Sequence, residues 1–111
     1  MSDKYKVKVT PHAFGQLKET ADYISEVLME PQTAHQWLNA MKQKIQSLES
    51  MPNRIRLVQE EPWHARGIHC MTAMRYNFYF WVDEEIKTVW IAAVLSERRD
   101  QQEQLKRMKT E

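Results

Sequence analysis

The chain has 111 residues, of which 42% are hydrophobic and 28% are charged, which is the balance of a soluble globular domain. Its 16 Lys and Arg against 15 Asp and Glu give a net charge of +1, and this excludes the strongly basic balance of most nucleic-acid-binding proteins. Two glycines and one cysteine exclude a glycine-rich phosphate loop and an internal disulfide. No apolar run reaches the length of a membrane span, so we expect one cytoplasmic domain over residues 1–111.

The first half of the chain predicts a strand followed by helices. Residues 5–9 alternate between apolar side chains and lysines, which is typical of a strand with one solvent-exposed face. Thr10 and Pro11 suit the N-cap and the first position of a helix. Apolar residues then recur at intervals of three and four, as on one face of a helix. These residues are Phe14, Leu17, Ala21, Ile24 and Leu28.

A second helix is predicted to begin at Pro31, which also closes the first helix. Its apolar stripe has the same spacing, is widened by Trp37 and ends before Pro52. The stripe consists of Ala34, Leu38, Met41, Ile45 and Leu48. Because almost no loop separates the two helices, we expect them to pack as a hairpin.

The second half of the chain is rich in strands. Residues 54–58 suit either a short edge strand or an extended loop, and a polar loop follows at 60–67. Apolar segments with short connections then favour an antiparallel meander. Its strands are predicted at 68–74, 76–82 and 87–95, and a short C-terminal helix is predicted within 97–111.

This order of elements predicts an α+β fold. The N-terminal strand and the three-strand meander form a small sheet, and the two-helix hairpin packs on one face of that sheet. The other face is predicted to be free. Tyr79 and Trp81 lie either on that free face or in the core.

The sequence predicts no metal site and no cofactor. His64, His69 and Cys70 lie close together along the chain, but His69 and Cys70 face opposite ways in a strand. No second cluster completes a tetrahedral set of ligands. Cys70 has neutral and apolar neighbours, which favours a structural thiol over a nucleophile.

Ribonuclease chemistry without a metal needs a base, an acid and cations that stabilise a phosphorane. The sequence offers weak candidates for these roles near the predicted strand ends. They are Arg66, Arg75, Tyr76, His64, His69 and Arg98. In the alternative interpretation these arginines lie at the rim of the fold and pair with acidic neighbours such as Asp100.

Five short motifs follow one another along the chain. The opening strand ends in Thr-Pro-His-Ala, Asp-Tyr-Ile lies in the first predicted helix, and Pro-Gln-Thr-Ala opens the second. Residues 45–52 have the pattern Ile-x-x-Leu-x-x-x-Pro, and Arg-Arg-Asp at 98–100 follows the last predicted strand. In order and spacing these motifs resemble the RelE/ParE superfamily of type II toxins, from about residue 5 to 105. The resemblance implies a small toxin that a cognate antitoxin neutralises by wrapping its sheet and hairpin.

The resemblance leaves two kinds of target open, because RelE-like members cleave mRNA in the ribosome and ParE-like members inhibit DNA gyrase. RelE-like enzymes carry a Tyr-Arg-x-x-Tyr strand motif, in which this chain has Asn77 for the arginine and Phe80 for the second tyrosine. Glu97 stands where a second catalytic arginine is expected, and Ser96 stands where many members have histidine. Because a carboxylate disfavours a developing phosphorane, these departures favour the ParE-like function.

Two functional hypotheses follow from the resemblance. In the first, the toxin binds and inhibits DNA gyrase without chemistry of its own, since Trp and Arg commonly anchor interfaces. The target-binding residues would be Trp63, Arg66, Arg98 and Arg99. In the alternative, the chain is a ribosome-dependent mRNA endoribonuclease in which the arginines hold phosphate and His64, His69 or Tyr76 moves protons.

Both hypotheses predict a cognate antitoxin as the partner. The antitoxin is expected to dock as a helix or an added strand in a groove lined by Tyr79, Trp81 and Trp90, with Arg99 at its rim. Without the antitoxin, this apolar surface is expected to promote a homodimer.

Overall fold

The computed structural model describes residues 4–97. A π-helical turn, Tyr23–Val27, extends the first helix, and 3₁₀ turns lie at Ser47–Glu49 and Pro52–Arg54. The predicted C-terminal helix and the predicted site residues Arg98 and Arg99 lie outside the described residues. The main elements are β1 (Lys6–Val9), α1 (Pro11–Asp22), α2 (Pro31–Gln46), β2 (His69–Ala73), β3 (Tyr76–Asp83) and β4 (Thr88–Ser96).

The four strands form one sheet in the order β1-β4-β3-β2. The strands β2, β3 and β4 pair antiparallel in sequence, so the predicted meander is confirmed. β1 lies parallel to β4, with Val9 opposite Ile91. Parallel neighbours need a long connection, and here the helices, β2 and β3 lie between the two strands in sequence. The segment at 54–58 makes only an isolated bridge between Leu57 and His69, so it is an extended loop.

The helices begin where the sequence places them. Thr10 caps α1, because its Oγ1 accepts a hydrogen bond from the Ala13 N–H at 3.2 Å, and Pro11 occupies the first turn. Pro31 likewise stands in the first turn of α2. Within residues 4–97, no helix is long and apolar enough to cross a membrane.

The predicted stripe of the first helix is wrong at both of its ends. Phe14 is 61% exposed and Leu28 is 48% exposed. At the first end Ala13 faces inwards instead, four residues before the buried Leu17. At the second end the π-helical turn inserts an extra residue per turn and rotates Leu28 out of line with the stripe.

The main core lies between the helical hairpin and one face of the sheet. Phe78 and Phe80 of β3 and Ile91 of β4 are fully buried there. They pack with Met41 and Leu48 from the second helical segment. This layer confirms the predicted α+β packing of hairpin on sheet.

A second core covers part of the opposite face, which the sequence predicted to be free. Residues 55–68, which we call the Trp63 strap, cross this face at its β2 side, where the Val58 N–H donates to the Ile68 carbonyl at 2.8 Å. Trp63 and Tyr79 are 6% and 5% exposed within this core. The remaining members are Val58, Ile68, Ala92, Ala93 and Leu95. The prediction of a wholly free face is therefore wrong, because the irregular apolar residues of the strap need a surface to cover them.

A carboxylate fastens the β3–β4 turn to the start of the chain. Glu84 accepts hydrogen bonds from Asn53 Nδ2 at 2.7 Å, Tyr5 Oη at 3.0 Å and Lys87 Nζ at 3.1 Å. The hydrogen bond from Asn53, followed by those from Lys87 and Tyr5, holds the pKa of this exposed carboxyl below its ordinary value of 4.5. Glu84 therefore connects three segments that are distant in sequence.

Replacing Glu84 with glutamine is expected to make the thermal stability of the protein less dependent on pH. Because folding lowers the pKa of Glu84, its contribution is present above pH 4.5 and is lost as the pH falls through the lowered pKa. The variant should melt at a lower temperature than the parent at pH 7, and the gap should close in acid. Thermal melts from pH 7 to pH 3 measure this, with Glu85→Gln as the matched control on the same turn. A gap that persists unchanged in acid would contradict the prediction.

Candidate functional site

Two tryptophans lie side by side on the part of the sheet that the Trp63 strap leaves open. Trp81 of β3 is opposite Trp90 of β4, and their rings stack with centroids 6.0 Å apart and an interplanar angle of 19°. Nζ of Lys8 on β1 lies 5.6 Å from the Trp90 ring centroid. Both rings are half-buried. We call Lys8, Trp81 and Trp90 the tryptophan patch.

The electrostatics around the tryptophan patch are positive on its β1 side. Lys6 and Lys8 are exposed and, by strand alternation, point to the same face as Trp90. Asp83 lies on this face as well, but its Oδ1 accepts hydrogen bonds from the Glu85 and Ile86 N–H groups of its own turn. A flat aromatic surface flanked by lysines is suited to an acidic, apolar ligand.

Of the predicted groove residues, Trp81 and Trp90 lie together and retain exposed surface, whereas Tyr79 is buried under the strap. The same burial applies to Trp63, which was predicted to contact a target. Its ring is held inside the second core, and the exposed Arg66 lies over it, with Cζ 5.4 Å from the ring centroid. Arg66 is therefore an exposed side chain of the strap that rests on a buried ring.

Both candidate histidines are used to hold the Trp63 strap. His64 Nδ1 lies 2.9 Å from the Val58 carbonyl, and His69 Nδ1 lies 2.7 Å from the Ile55 carbonyl. His69 is 8% exposed, and its ring stacks on Phe80 with centroids 4.9 Å apart. These contacts account for both residues as structural groups.

Arg75 and Tyr76 lie at the other end of β2, in and after the turn to β3. The ring of Tyr76 packs against Trp37 of α2 with centroids 5.5 Å apart. The Arg75 carbonyl accepts a hydrogen bond from the Glu97 N–H at 2.9 Å. From His69 to the end of β2 is four residue steps, about 13 Å along a strand, so the candidate catalytic residues fall into two separate groups.

The residues at which the sequence departs from the RelE motif have structural partners. Asn77 Oδ1 accepts a hydrogen bond from Thr72 Oγ1 at 2.7 Å, which links β3 to β2. Phe80 is fully buried in the main core. Within residues 4–97, no group of three or more His, Cys, Asp or Glu side chains is arranged to hold a metal ion.

Sequence reasoning did not find the role of Lys8. The alternation of lysines in β1 predicted a wet face, but its contact with Trp90 depends on β1 lying beside β4. No single segment of the sequence indicates the contact between Lys8 and Trp90. An edge strand with lysines and a later strand with a tryptophan are compatible with this pairing but do not specify it.

The family model for the ParE toxin of type II toxin–antitoxin systems, parDE, matches residues 7–101. The chain belongs to the ParE toxin family. This confirms the resemblance to the RelE/ParE superfamily and identifies the chain as a ParE-type toxin of a toxin–antitoxin system. Among curated proteins, none matches this ParE-family toxin.

Solved toxin–antitoxin structures share the fold of this ParE-family toxin. A chain of the chromosomal ParDE system from P. aeruginosa superposes with a TM-score of 0.69 at 20% identity, covering 86% of this chain and 98% of that one. A chain of the RelBE2 toxin–antitoxin complex from Mycobacterium tuberculosis gives a TM-score of 0.55 at 21% identity, covering 84% and 91%. At these identities the similarity concerns the fold alone.

Proposed function

We propose that this toxin acts in the cytoplasm by binding and inhibiting DNA gyrase, without making or breaking bonds itself, and that a cognate antitoxin neutralises it. The observation that carries the proposal is the separation of the candidate catalytic residues. His64 and His69 hold the Trp63 strap, whereas Arg75 and Tyr76 lie at the far end of β2. General acid–base catalysis needs its groups within hydrogen-bond reach of one reacting centre.

The target-binding surface that we propose is the outer side of the Trp63 strap. Arg66 is exposed there and rests on the buried Trp63 ring. Trp63 therefore supports the surface from beneath, while Arg66 contacts the target directly. Arg98 and Arg99 remain proposed target-binding residues that follow β4 in the sequence.

The antitoxin-binding surface that we propose is the tryptophan patch. Trp81 and Trp90 offer adjacent aromatic area, and Lys6 and Lys8 flank it with positive charge. This chemistry favours an acidic amphipathic segment, whose apolar side covers the rings and whose carboxylates face the lysines. Tyr79 lies in the second core, against which Trp81 packs, and contributes to this surface only by positioning Trp81.

Inhibition of purified gyrase tests the proposed target. The toxin should prevent gyrase from supercoiling a relaxed plasmid, and addition of antitoxin should restore the reaction. Arg66→Glu should raise the half-inhibitory toxin concentration at least about 10-fold, because it reverses an exposed interface cation. Tyr76→Phe and Arg75→Gln, which remove only a hydroxyl or a charge from the alternative catalytic set, should stay within about threefold of the parent.

The opposite pattern would support the ribosome-dependent endoribonuclease. In that case gyrase would be unaffected, and the Tyr76 and Arg75 variants would stop cleaving mRNA in a translation extract. Circular dichroism of each variant confirms that a loss of activity does not reflect unfolding. The two patterns are mutually exclusive for one preparation of toxin.

A further inference from the structure

The connection between the two helices carries several exposed apolar side chains. Residues 23–30, which we call the hairpin tip, comprise the π-helical turn and the short link to α2. Four of its side chains are between 48% and 79% exposed, namely Tyr23, Val27, Leu28 and Met29. Single exposed apolar residues are ordinary on a protein surface, but a group of them commonly marks an interaction site.

The backbone of the hairpin tip is unusual at Met29. Its φ is 58°, which lies in the left-handed region that glycine ordinarily occupies at the end of a helix. The Glu30 N–H donates to the Ile24 carbonyl at 3.1 Å and closes this turn. Glycine would satisfy the same backbone without the steric cost of a Cβ. The Met29 side chain is nonetheless 79% exposed, so it fills no core and is available to a partner.

The hairpin tip has an acidic rim. Residues 18–41 contain four carboxylates but only one lysine and no arginine. The lysine, Lys18, forms an ion pair with Asp22 at 3.0 Å. The other carboxylates are those of Glu19, Glu26 and Glu30, which are exposed. The tip is therefore an apolar surface with negative charge around it.

The tryptophan patch has the complementary properties. Trp81 and Trp90 provide stacked aromatic rings, and Lys6 and Lys8 are exposed beside them. Residues 4–8 contain three lysines and no carboxylate. Although the net charge of the whole chain is only +1, positive and negative charges thus concentrate on separate surfaces. An acidic apolar surface and a basic aromatic surface are complementary in both charge and polarity.

The two complementary surfaces lie on different sides of the molecule. The helical hairpin packs on one face of the sheet, in the main core, whereas Trp81 packs against the second core on the opposite face. The tip of one molecule therefore cannot cover its own tryptophan patch. A contact between tip and patch joins two molecules through unlike surfaces, and it leaves one free tip and one free patch for further copies.

We propose that the free toxin associates head to tail, with the hairpin tip of one copy on the tryptophan patch of the next. The Met29 side chain covers the tryptophan rings, and Glu26 faces the lysines of β1. Because the tip is a single turn, the contact is smaller than a standard interface, so association depends on concentration and weakens as salt screens the charges. This arrangement differs from a symmetric dimer through two tryptophan patches. Self-association of the toxin alone does not depend on its target or on an antitoxin.

Sedimentation velocity of the free toxin measures this association. Met29→Gly should weaken it at least about 10-fold and should melt at or above the temperature of the parent, because glycine relieves the left-handed backbone. Lys8→Glu should weaken it to a similar extent, because it sets like charges against the tip. Met74→Gly is the matched control, since Met74 is also exposed and left-handed, with a φ of 57°, but lies in the β2–β3 turn. Its association should stay within about threefold of the parent.

A mixture of Met29→Gly and Lys8→Glu distinguishes the head-to-tail contact from a symmetric one. The first variant keeps an intact patch and the second keeps an intact tip. The mixture should therefore form a 1:1 dimer that does not grow further, although each variant alone stays monomeric. Association of Met29→Gly as strong as that of the parent would overturn the inference and assign the contact to two facing patches. A parent toxin that stays monomeric at every soluble concentration, or two weakened variants that do not associate when mixed, would overturn it as well.

Discussion

Replacing Trp90 with alanine is expected to weaken antitoxin binding by at least about 30-fold, which corresponds to the 2 kcal/mol that marks an interface hot spot. Trp90 stacks on Trp81 and lies under Lys8, so its removal takes away aromatic area and the ring that positions the ammonium group. Trp81→Ala should have a similar effect. The two losses should not add, because each substitution also removes the stacking partner of the other ring.

Affinities from titration calorimetry check this prediction, with Phe14→Ala as the matched control. Phe14 is another exposed aromatic residue, but it lies on α1, away from the tryptophan patch. Its replacement should leave the affinity within about threefold of the parent. Normal binding by folded Trp81→Ala and Trp90→Ala variants would exclude the tryptophan patch as the antitoxin site. Weaker self-association of the free toxin in the same variants would place the expected homodimer on this surface too.

Replacing Trp63 with alanine is expected to lower the free energy of unfolding by about 3–5 kcal/mol, the usual cost of removing a large buried aromatic side chain. Trp63 is 6% exposed and fills the second core with Tyr79, Leu95 and the alanines of β4. Its loss uncovers apolar surface on the sheet and leaves the strap without its main anchor. For a domain with 5–15 kcal/mol of total stability, this is a large fraction.

Urea unfolding measures the effect, and Arg66→Ala is the control on the same strap. That variant loses a cation–π contact on an exposed residue, which contributes about 0.5–1 kcal/mol. A Trp63→Ala variant as stable as the parent would show that the second core contributes little to folding. Trp63 would then be available to a partner.

The parts of the fold that depend on local chemistry could be predicted from the sequence. Thr10 followed by Pro11 specifies a helix start, and the structure has the cap hydrogen bond that this pair implies. The apolar segments on either side of the β3–β4 turn predicted two strands of the meander, which pair with Trp81 opposite Trp90. In each case neighbouring residues carry the signal, so no tertiary information is needed.

The parts that depend on tertiary packing could not be predicted. Residues 55–68 have apolar side chains without a helical or strand period, so the sequence did not indicate that Trp63 covers Tyr79. The π-helical turn that exposes Leu28 has no sequence signature that propensities detect. The parallel pairing of β1 with β4 is a choice of topology, since an edge strand of this composition fits either side of the sheet.

The candidate site likewise has features that the sequence could predict and features that it could not. The sequence predicted Trp81 and Trp90 as residues of the antitoxin groove, and the structure stacks the two rings on each other. Their contact with an antitoxin stays a prediction. The catalytic set combined His69 with Tyr76 because both lie near predicted strand ends, yet β2 separates them and each ring packs against its own partner. Which side chains converge depends on strand lengths and on the strap, and neither follows from spacing along the chain.

Pulse labelling of new DNA and new protein after induction of the toxin in bacterial cells distinguishes inhibition of gyrase from cleavage of mRNA. If the toxin inhibits gyrase by binding, DNA synthesis should fall first, with a DNA-damage response, while protein synthesis continues. Arrest of protein synthesis within minutes, with DNA synthesis continuing, would contradict inhibition of gyrase and assign the toxin to mRNA cleavage.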